Sequence, residues 1–396
     1  MKPFDSYDQY DPFCPRFYPI EKPLKTGNFR TFLFNRQKPT TSDCTMKFEA
    51  LTIKDIAKAL GLSTSTVSRA LRDSYEISPE TKKLVLEYAE KNNYHPNPIA
   101  LSLKERRSRS IGVIVCEIAN SYFSQVINGI ESIAYNNGYN VIIAQSRESY
   151  DREMLNLQYL TSRSIDGLII SVSTETKDFS YLKELHRKGM PIVFFDRIVS
   201  EIDTHKVIAD NYKGAYDATT HLIDSGYRRI ATVSNPEMVS ITKERLAGYK
   251  AALTDNGIPV DEQLIKYCQH GGMIVSEVEE AVKELLDLDN KPDAIFASAD
   301  KLTTGCLRIL KAKGLSVPAD IGLIGFSNTD LTELLDPPLS IIKQPAFEMG
   351  EISMSLLLQL IESKRPVTDF ETKVLSTELL IRGSTRKMME KKKQIA

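Results

Sequence analysis

Between residues 53 and 93 the apolar positions follow the period of an α-helix. A first helix ends at Gly61, because glycine adopts the left-handed conformation of a tight turn without steric cost. A second helix is predicted over residues 64–71 with Ser63 as its N-cap, and a third begins with Ser78 as its cap. The apolar faces of the first and third helices consist of Ile53, Ile56, Ala57 and Leu60, and of Leu84, Val85, Tyr88 and Ala89. Three short helices predict a small all-α domain.

From residue 110 onward the pattern changes, and short apolar runs alternate with helix-length amphipathic segments. Several of these helices end in a glycine that a strand soon follows, as at Gly138 and Gly226. Continuous apolar strands alternating with helices indicate an α/β fold with parallel sheets covered on both faces. Because about 280 residues exceed one comfortable sheet, we predict two lobes with a cleft at the carboxyl ends of their strands. The predicted strands are 111–115, 141–144, 168–170, 192–195, 230–233, 294–297 and 321–324.

The first 45 residues follow neither pattern and are rich in Pro, Tyr, Phe, Asp and Thr. Proline removes a hydrogen-bond donor and restricts its neighbour, so we expect this segment to be poorly ordered. Met46 stands just before the first convincing helix, and one hypothesis is that translation starts there. The predicted order is an extension over 1–48, a helical domain over 49–94, a linker over 95–109, a two-lobed domain over 110–385 and a tail over 386–396.

The composition indicates the class of protein. With 396 residues, of which 42% are apolar and 26% charged, the chain fits a globular protein of two or three domains. No stretch of roughly 18 or more apolar residues occurs, which excludes a transmembrane helix, and we expect no secretory signal. The five cysteines are scattered without a CxxC pair, so we expect reduced thiols in the cytoplasm and no zinc site.

Charge is distributed unevenly along the chain. Residues 51–109 hold 11 basic and 7 acidic residues, whereas residues 110–396 hold 32 basic and 39 acidic residues. A basic segment on an acidic body suits a head that binds nucleic acid. A local fluctuation in composition would produce the same modest asymmetry, so charge alone does not decide the function.

Residues 51–71 fit a helix-turn-helix, in which the second helix would contact DNA. Small polar residues near a helix N-terminus suit base edges and phosphates, since the helix can then enter the major groove closely. The alternative interpretation is an ordinary helical hairpin with a Ser/Thr-rich surface. The polar residues of the second helix are Thr64, Ser65, Thr66, Ser68 and Arg69.

Further motifs occur that a helical hairpin does not explain. Residues 93–104 read NYHPNPIALSLK, and a basic run follows at Arg106, Arg107 and Arg109. The two-lobed part contains VIADNYKGA at 207–215, ERLAGY at 244–249 and IGFSN at 324–328. With these motifs in this order, the chain from about residue 50 to residue 385 resembles the LacI/GalR family of bacterial transcriptional repressors.

The resemblance implies a helix-turn-helix head, a hinge helix and a core like the periplasmic sugar-binding proteins. In such proteins the hinge helix folds on operator DNA and inserts a leucine into the minor groove, and Leu103 matches that leucine. So short a helix cannot persist alone, which agrees with folding on DNA. The alternative for Leu103 is a linker residue that packs on the core. The residues matched to DNA contacts are Thr52, Thr64, Ser65, Thr66, Ser68, Arg69, Tyr94, Asn97, Ala100 and Leu103.

The resemblance also implies a site for an effector between the lobes. It places an aromatic pair where Tyr122 and Phe123 stand, after the first strand. It places an arginine at Arg245, and a guanidinium suits both ligand hydroxyls and a carboxylate. His270 aligns approximately with an aromatic position of the pocket, and Ser327 is a further matched position. Asp196 is a candidate because it ends the predicted strand 192–195, where strand ends meet the cleft.

Each of these positions has an alternative interpretation. The aromatic pair can belong to the hydrophobic core, Asp196 can merely cap Arg197, and Arg245 can pair with a neighbouring acid to hold its helix. Many sugar-binding relatives carry aspartate where Ser327 stands, and a serine supplies no charge to grip a sugar diol. We therefore expect an effector different from those of the best-known relatives.

An enzyme is not indicated by any motif in the sequence. There is no GxSxG, no P-loop, no GxGxxG after a strand and no HExxH, and the histidines lack metal spacing. We predict a cytoplasmic homodimeric repressor, without cofactor, that binds a palindromic operator under control of a sugar-like metabolite. The tail after Gly383 lacks the heptads that a tetramerising coiled coil requires. The alternative classes are a solute-binding protein and a sugar-processing α/β enzyme.

Overall fold

The computed structural model describes residues 51–94 and 107–386. Its first part is a three-helix head of α1 (Ile53–Leu60), α2 (Thr64–Ala70) and α3 (Pro79–Lys91). Each helix turns one row of side chains inward, and the rows meet in a small apolar core. That core consists of Ile56, Ala57, Val67, Ala70, Val85, Ala89 and Tyr94. The all-α head predicted from the sequence is confirmed.

Local signals set the ends of the helices in the head. Gly61 ends α1 with a φ of 66°, and the Ser63 hydroxyl caps α2 by accepting a hydrogen bond from Thr66 N–H at 3.0 Å. One position of α3 differs from expectation. Leu84 is 48% exposed, because the inward row of α3 runs through Val85, so its assignment to the apolar face was wrong.

The N lobe is built on a sheet of six strands, all of them parallel. The strands are β1 (Ser110–Val115), β2 (Asn140–Gln145), β3 (Gly167–Ile170), β4 (Ile192–Phe195), β5 (Lys206–Ala209) and β11 (Thr372–Leu375), and the helices are α4 (Ser121–Asn136), α5 (Tyr150–Ser162), α6 (Ser180–Arg187) and α11 (Ala346–Glu362). The strand order is β11-β5-β4-β3-β1-β2. Every residue of β3 and β4 is buried, as expected for strands that helices cover on both faces.

The C lobe repeats this arrangement. Its strands are β6 (Ile230–Ser234), β7 (Ile265–Tyr267), β8 (Ala294–Ala297), β9 (Gly322–Phe326), β10 (Ser340–Lys343) and β12 (Glu378–Leu380), and its helices are α7 (Asn211–Asp224), α8 (Ser240–Asp255), α9 (Val275–Leu286) and α10 (Asp300–Ala312). The order is β12-β10-β9-β8-β6-β7, and only the β10–β12 pair is antiparallel within the described sheet. Two α/β lobes were predicted, and the sheets confirm them.

The chain passes from one lobe to the other after β5, after β10 and after β11. All seven predicted strands are present, with ends shifted by a residue or two. Five strands were not predicted: β5, β7, β10, β11 and β12. They are three or four residues long and, unlike the equally short β3, β4 and β8, each contains at least one residue that is not buried. Their apolar runs are therefore too brief to separate from a loop.

Candidate functional site

The exposed side of α2 carries the polar residues predicted to read DNA. Thr64 and Ser65 are exposed. The Ser63 hydroxyl lies 2.7 Å from the hydroxyl of Ser65 and 2.8 Å from that of Thr66, so the cap residue holds both side chains in place. No hydrogen bond of the Thr64 side chain is found among the described residues, which leaves its hydroxyl open to a partner.

The end of α2 is tied to its own surroundings. Arg69 Nη1 lies 3.1 Å from Glu76 Oε2, and the two side chains are 52% and 47% exposed. An ion pair so exposed contributes little, so a DNA phosphate can replace Glu76 as the partner. The guanidinium of Arg72 donates to the Ser68 hydroxyl at 3.1 Å and to the Ser68 carbonyl at 3.0 Å.

The remaining predicted DNA contacts have mixed placements. Thr52 caps α1, since its hydroxyl accepts from Asp55 N–H and its own N–H donates to Asp55 Oδ2 at 2.9 Å. The Thr52 hydroxyl also donates to Asp55 Oδ2 at 2.6 Å, and this bond, together with the one from Thr52 N–H, lowers the pKa of the Asp55 carboxyl. Tyr94 is only 8% exposed and packs in the core of the head, so little of its ring is available to DNA. Asn97, Ala100 and Leu103 lie outside the described residues.

The two lobes contact each other through polar side chains that follow their strands. Gln125 Nε2 of α4 donates to the Asn328 carbonyl at 3.0 Å, and Asn328 Nδ2 donates back to Gln125 Oε1 at 2.9 Å. Lys301 Nζ at the start of α10 lies 3.1 Å from Glu117 Oε1, which follows β1. These contacts place the ends of β1, β8 and β9 along one cleft, as expected for ligand sites in open parallel sheets.

The predicted aromatic pair lies at the N-lobe side of this cleft. Tyr122 and Phe123 are each 5% exposed, with their ring centroids 5.1 Å apart in an edge-on arrangement. Phe123 also packs edge-on against Phe195 of β4. Both rings belong to the hydrophobic core of the N lobe. They therefore support the wall of the cleft from behind, and little of their surface is available to a ligand.

Asp196 lies beside this aromatic pair. It is 3% exposed and follows β4 with a φ of 58°, in the left-handed region that costs a non-glycine residue energy. Burial raises the pKa of Tyr122 well above its ordinary value, and the negative charge of Asp196 raises it further. Asp196 therefore supplies a buried carboxylate at the carboxyl end of the sheet, where a ligand hydroxyl can donate to it.

Arg245 projects from α8 into the same region and is 3% exposed. Its Nε donates to Asn211 Oδ1 at 2.8 Å, its Nη1 donates to the Ser298 carbonyl, and its Cζ lies 3.7 Å from the centroid of the Phe326 ring. Burial lowers the pKa of Arg245 to about 10, although the charge of Asp196 acts in the opposite direction. The guanidinium reaches the cleft, but its present partners are groups of this chain that a ligand would have to replace.

Ser327 does not stand alone at the end of β9. Its hydroxyl donates to Asp300 Oδ1 at the start of α10. Burial raises the pKa of Asp300, and the hydrogen bond from Ser327 opposes that rise. A carboxylate is therefore present next to the position where the sequence showed only a serine.

His270 lies at the mouth of the cleft. Its side chain is 38% exposed, and its Nδ1 is 2.5 Å from Glu277 Oε1 of its own lobe. Its Nε2 is 4.0 Å from Glu175 Oε1 of the N lobe. His270 thus bridges the lobes at their exposed edge and does not line the buried part of the cleft.

Comparison with known proteins settles the family. The family described as bacterial regulatory proteins, lacI family, matches residues 52–97, and the family of periplasmic binding proteins and sugar-binding domains of the LacI family matches residues 108–381. The chain belongs to the LacI family. The two matches correspond to the helical head and to the two lobes of the structure.

The individual relatives support the same assignment. The HTH-type transcriptional repressor CytR of Escherichia coli (strain K12) is 36% identical over 337 residues, covering 85% of this chain and 97% of that protein. A structure of the transcriptional regulator CelR with cellobiose has a TM-score of 0.62 at 30% identity, covering 84% and 99% of the two chains. The lac repressor dimer bound to operator and the anti-inducer ONPF has a TM-score of 0.73 at 25% identity, covering 85% and 99%.

The family matches cover both the head and the effector domain, and the relatives are transcriptional repressors and not enzymes. The protein is accordingly a DNA-binding repressor that a small metabolite controls. Within the described residues, no group of His, Cys, Asp and Glu side chains could hold a metal ion. None of the helices in that part of the chain is long and apolar enough to cross a membrane.

Sequence reasoning missed two charged residues that meet at the N-lobe side of the cleft. Arg197 Nη1 and Nη2 donate to both oxygens of Glu148, at 2.6 Å and 2.9 Å, and both side chains are buried. Burial raises the pKa of Glu148, but the charge and hydrogen bonds of Arg197 outweigh it, so the net shift is downward. Each residue follows a strand, β2 or β4, and that position was the available signal.

Proposed function

We propose that this LacI-family repressor binds an uncharged, hydroxyl-bearing effector between its lobes and reads its operator with α2. The observation that carries the proposal is the position of Arg245, whose charge interacts with Asp196 and whose guanidinium lies over the ring of Phe326, the residue before the Ser327–Asp300 pair. Carboxylates accept hydrogen bonds from ligand hydroxyls, and a guanidinium donates to them. The cellobiose in the CelR structure is consistent with such a ligand.

Each predicted domain has its own function. Residues 49–94 form the DNA-reading head, residues 95–109 form the hinge and residues 110–385 bind the effector. In the head, Thr64 and Ser65 face outward from α2, and Arg69 is held only by an exposed ion pair, so these side chains are available to the major groove. The hinge would contact the minor groove through Leu103, with Asn97 and Ala100 in the same segment.

The effector controls the operator through the arrangement of the lobes. A ligand shifts an equilibrium between two arrangements by its difference in affinity for them. The Gln125–Asn328 and Lys301–Glu117 contacts cross the cleft, so they must change when the lobes open or close. The lac repressor structure shows a dimer on operator DNA, and we propose the same homodimeric state here, in the bacterial cytoplasm where the DNA lies.

One experiment tests this function against that of a solute-binding protein. An operator is first selected from a randomised DNA library with the full chain, and sugars are then screened for a rise in melting temperature, which a bound ligand causes by mass action. We expect the stabilising sugar also to change operator affinity, as measured by fluorescence anisotropy. A sugar that raises the melting temperature and leaves operator affinity unchanged would contradict the proposal.

The head is tested by its base preference. Replacing Thr64 and Ser65 by alanine should change the preference at a few operator positions by about 1–3 kcal/mol each, because base-edge contacts are lost. The randomised-library selection measures this directly. Ser162→Ala, at an exposed serine of α5 in the N lobe, is the matched control and should leave the profile unchanged. A profile that Thr64→Ala and Ser65→Ala do not alter would show that α2 does not read bases.

A further inference from the structure

The turn between α2 and α3 brings a carboxylate back onto the helix that is expected to read DNA. Arg69 lies in the last turn of α2, and its carbonyl accepts a hydrogen bond from Ser74 N–H at 3.0 Å. The Ser74 hydroxyl in turn accepts from Glu76 N–H at 3.4 Å. The chain is thereby folded back, and Glu76 Oε2 lies 3.1 Å from Arg69 Nη1. The residues of this one turn thus build the ion pair.

The two arginines at this end of α2 differ in their surroundings. Arg69 faces Glu76, whereas Arg72 forms no ion pair within the described residues and bonds to α2 itself. The other carboxylate of the turn, Asp73, lies 2.6 Å from Lys82 Nζ of α3 and so neutralises a cation that is not on α2. Glu76 is therefore the carboxylate of this turn that acts on the DNA-reading helix.

The head as a whole is nearly neutral, so a single charge on α2 matters. Residues 51–94 hold 7 basic and 6 acidic residues, whereas residues 95–109 hold 4 basic and 1 acidic residue. Attraction between a DNA-binding domain and the phosphates depends on the cations that the domain presents to them. Whether Arg69 is paired or free therefore changes a large share of the attraction that the head exerts on DNA.

Binding of DNA changes the state of this pair. Because both side chains are about half exposed, the pair itself is weak, and Arg69 can turn from Glu76 to the DNA. Glu76 is then left unpaired within about one Debye length, roughly 10 Å, of the phosphates, which repel it. A neutral pair that approaches DNA also releases fewer counterions than a free arginine does. Both effects lower affinity, and the second makes affinity less dependent on salt.

We propose that Glu76 is a positioning residue of the DNA-reading surface, which holds Arg69 away from DNA and so sets the strength and the salt dependence of binding. The inference rests on the proposed role of α2 in contacting the operator. Glu76 competes with DNA for one guanidinium and does not itself contact a base, so base preference is left to the other residues of α2.

Glu76→Gln tests this role, because it removes the charge and keeps the size of the side chain. Fluorescence anisotropy of the full chain is measured on the selected operator and on a random duplex of equal length. Affinity for both should rise about threefold to tenfold at low salt. The slope of log affinity against log salt, between about 50 and 200 mM NaCl, should become steeper by about 0.9. The melting temperature should not change, since the pair is exposed.

Glu87→Gln is the matched control. It removes the same charge from an exposed ion pair of the same head, in which Glu87 Oε1 lies 3.8 Å from Lys83 Nζ and both residues belong to α3. Affinity and salt slope should stay close to those of the unchanged protein. An effect of Glu87→Gln as large as that of Glu76→Gln, or no effect of Glu76→Gln, would overturn the proposal.

A double-mutant cycle with Arg69→Gln shows whether Glu76 acts through Arg69. We expect the gain in affinity from Glu76→Gln to be at least about threefold smaller when Arg69 has already been replaced, because the pair then no longer exists. An equal gain in both backgrounds would mean that Glu76 acts only by its own repulsion of phosphates, which contradicts the proposal.

The same four proteins separate this inference from the proposed function of α2. If Arg69→Gln does not weaken DNA binding even in the Glu76→Gln background, α2 does not present Arg69 to DNA, and the proposed role of the helix is wrong. If Arg69→Gln weakens binding there and Glu76→Gln alone changes neither affinity nor salt slope, α2 keeps its role and only the competition by Glu76 is wrong.

Discussion

The Arg197–Glu148 pair is the residue-level feature that the N-lobe side of the cleft depends on. Both side chains are buried and joined by two hydrogen bonds. Water is excluded, so neither charge can be left alone without a large desolvation cost. The pair therefore holds the loops after β2 and β4 in one arrangement at the N-lobe side of the cleft.

Removing one partner should be strongly destabilising. Arg197→Met leaves the Glu148 charge buried, and we expect a loss of roughly 3–5 kcal/mol in the free energy of unfolding, measured by urea denaturation. The double variant Arg197→Met with Glu148→Gln should lose less than Arg197→Met alone. Arg187→Met, which breaks an exposed pair with Glu184, is the control and should have little effect. A double variant less stable than the single one would refute the charge argument.

Some residues of the cleft could be predicted from the sequence and others could not. Asp196 was found because an acid follows a fully apolar strand, a local signal. The carboxylate beside Ser327 was missed, since it comes from Asp300 at the end of another strand and only the folded sheet brings the two together. The same holds for Arg197 and Glu148, which are 49 residues apart.

At the scale of elements, local signals were predictive and long-range pairing was not. The start of α2 was predicted because the Ser63 hydroxyl acts within one turn, on the N–H of Thr66. Strands β11 and β12 were missed because each is only a few residues long, contains no buried residue, and pairs with a strand that is not its neighbour in the sequence. Their pairing gives each lobe its last strand.

Strand β11 is held in part by a buried histidine. His205 is 4% exposed, its Nδ1 accepts from Glu371 N–H at 3.1 Å, and its ring packs edge-on against Phe370. Burial lowers the pKa of His205, with Asp369 and Glu371 opposing that shift and Lys373 supporting it. The folded state therefore binds fewer protons than the unfolded state at pH values below the ordinary histidine pKa near 6.5.

This histidine should make stability depend on pH. Stability is fully present above about pH 6.5 and is lost as the pH falls toward the lowered folded-state pKa of His205. His205→Asn keeps an acceptor for Glu371 N–H and does not titrate, so the slope of melting temperature against pH between about 5 and 7 should become shallower. The slope that remains is expected from His221, whose pKa burial also lowers. An unchanged slope would show that His205 is not the titrating group.

The hinge segment is tested by its leucine. Leu103→Ala should weaken operator binding by roughly tenfold or more and should affect binding to random DNA little, because only the kinked site uses the wedge. The slope of affinity against salt should not change, since no phosphate contact is removed. Leu101→Ala, two residues earlier in the same segment, is the matched control, and both variants are measured by anisotropy. Equal losses on operator and random DNA would contradict the assignment.

At the level of the whole molecule, the chain passes between the two lobes three times. The alternation of strands and helices predicted both lobes, because fully buried parallel strands have continuous apolar runs. The arrangement of the lobes depends instead on a few polar contacts, such as Gln125–Asn328 and Lys301–Glu117. No local pattern predicts such contacts, and they are the ones that an effector in the cleft can change.

We propose that the Arg245 guanidinium holds the effector in the cleft, so that effector binding, and through it the control of operator affinity, depends on this residue. A charged hydrogen bond from its guanidinium to the effector contributes roughly 1.5–3 kcal/mol. The decisive measurement is calorimetry of Arg245→Ala with the effector, together with operator affinity and melting temperature of the same preparation. We expect effector affinity to fall at least about tenfold, while operator affinity without effector stays unchanged. Unchanged effector affinity with a lowered melting temperature would contradict it, since Arg245 would then serve only its contacts with Asn211 and Ser298.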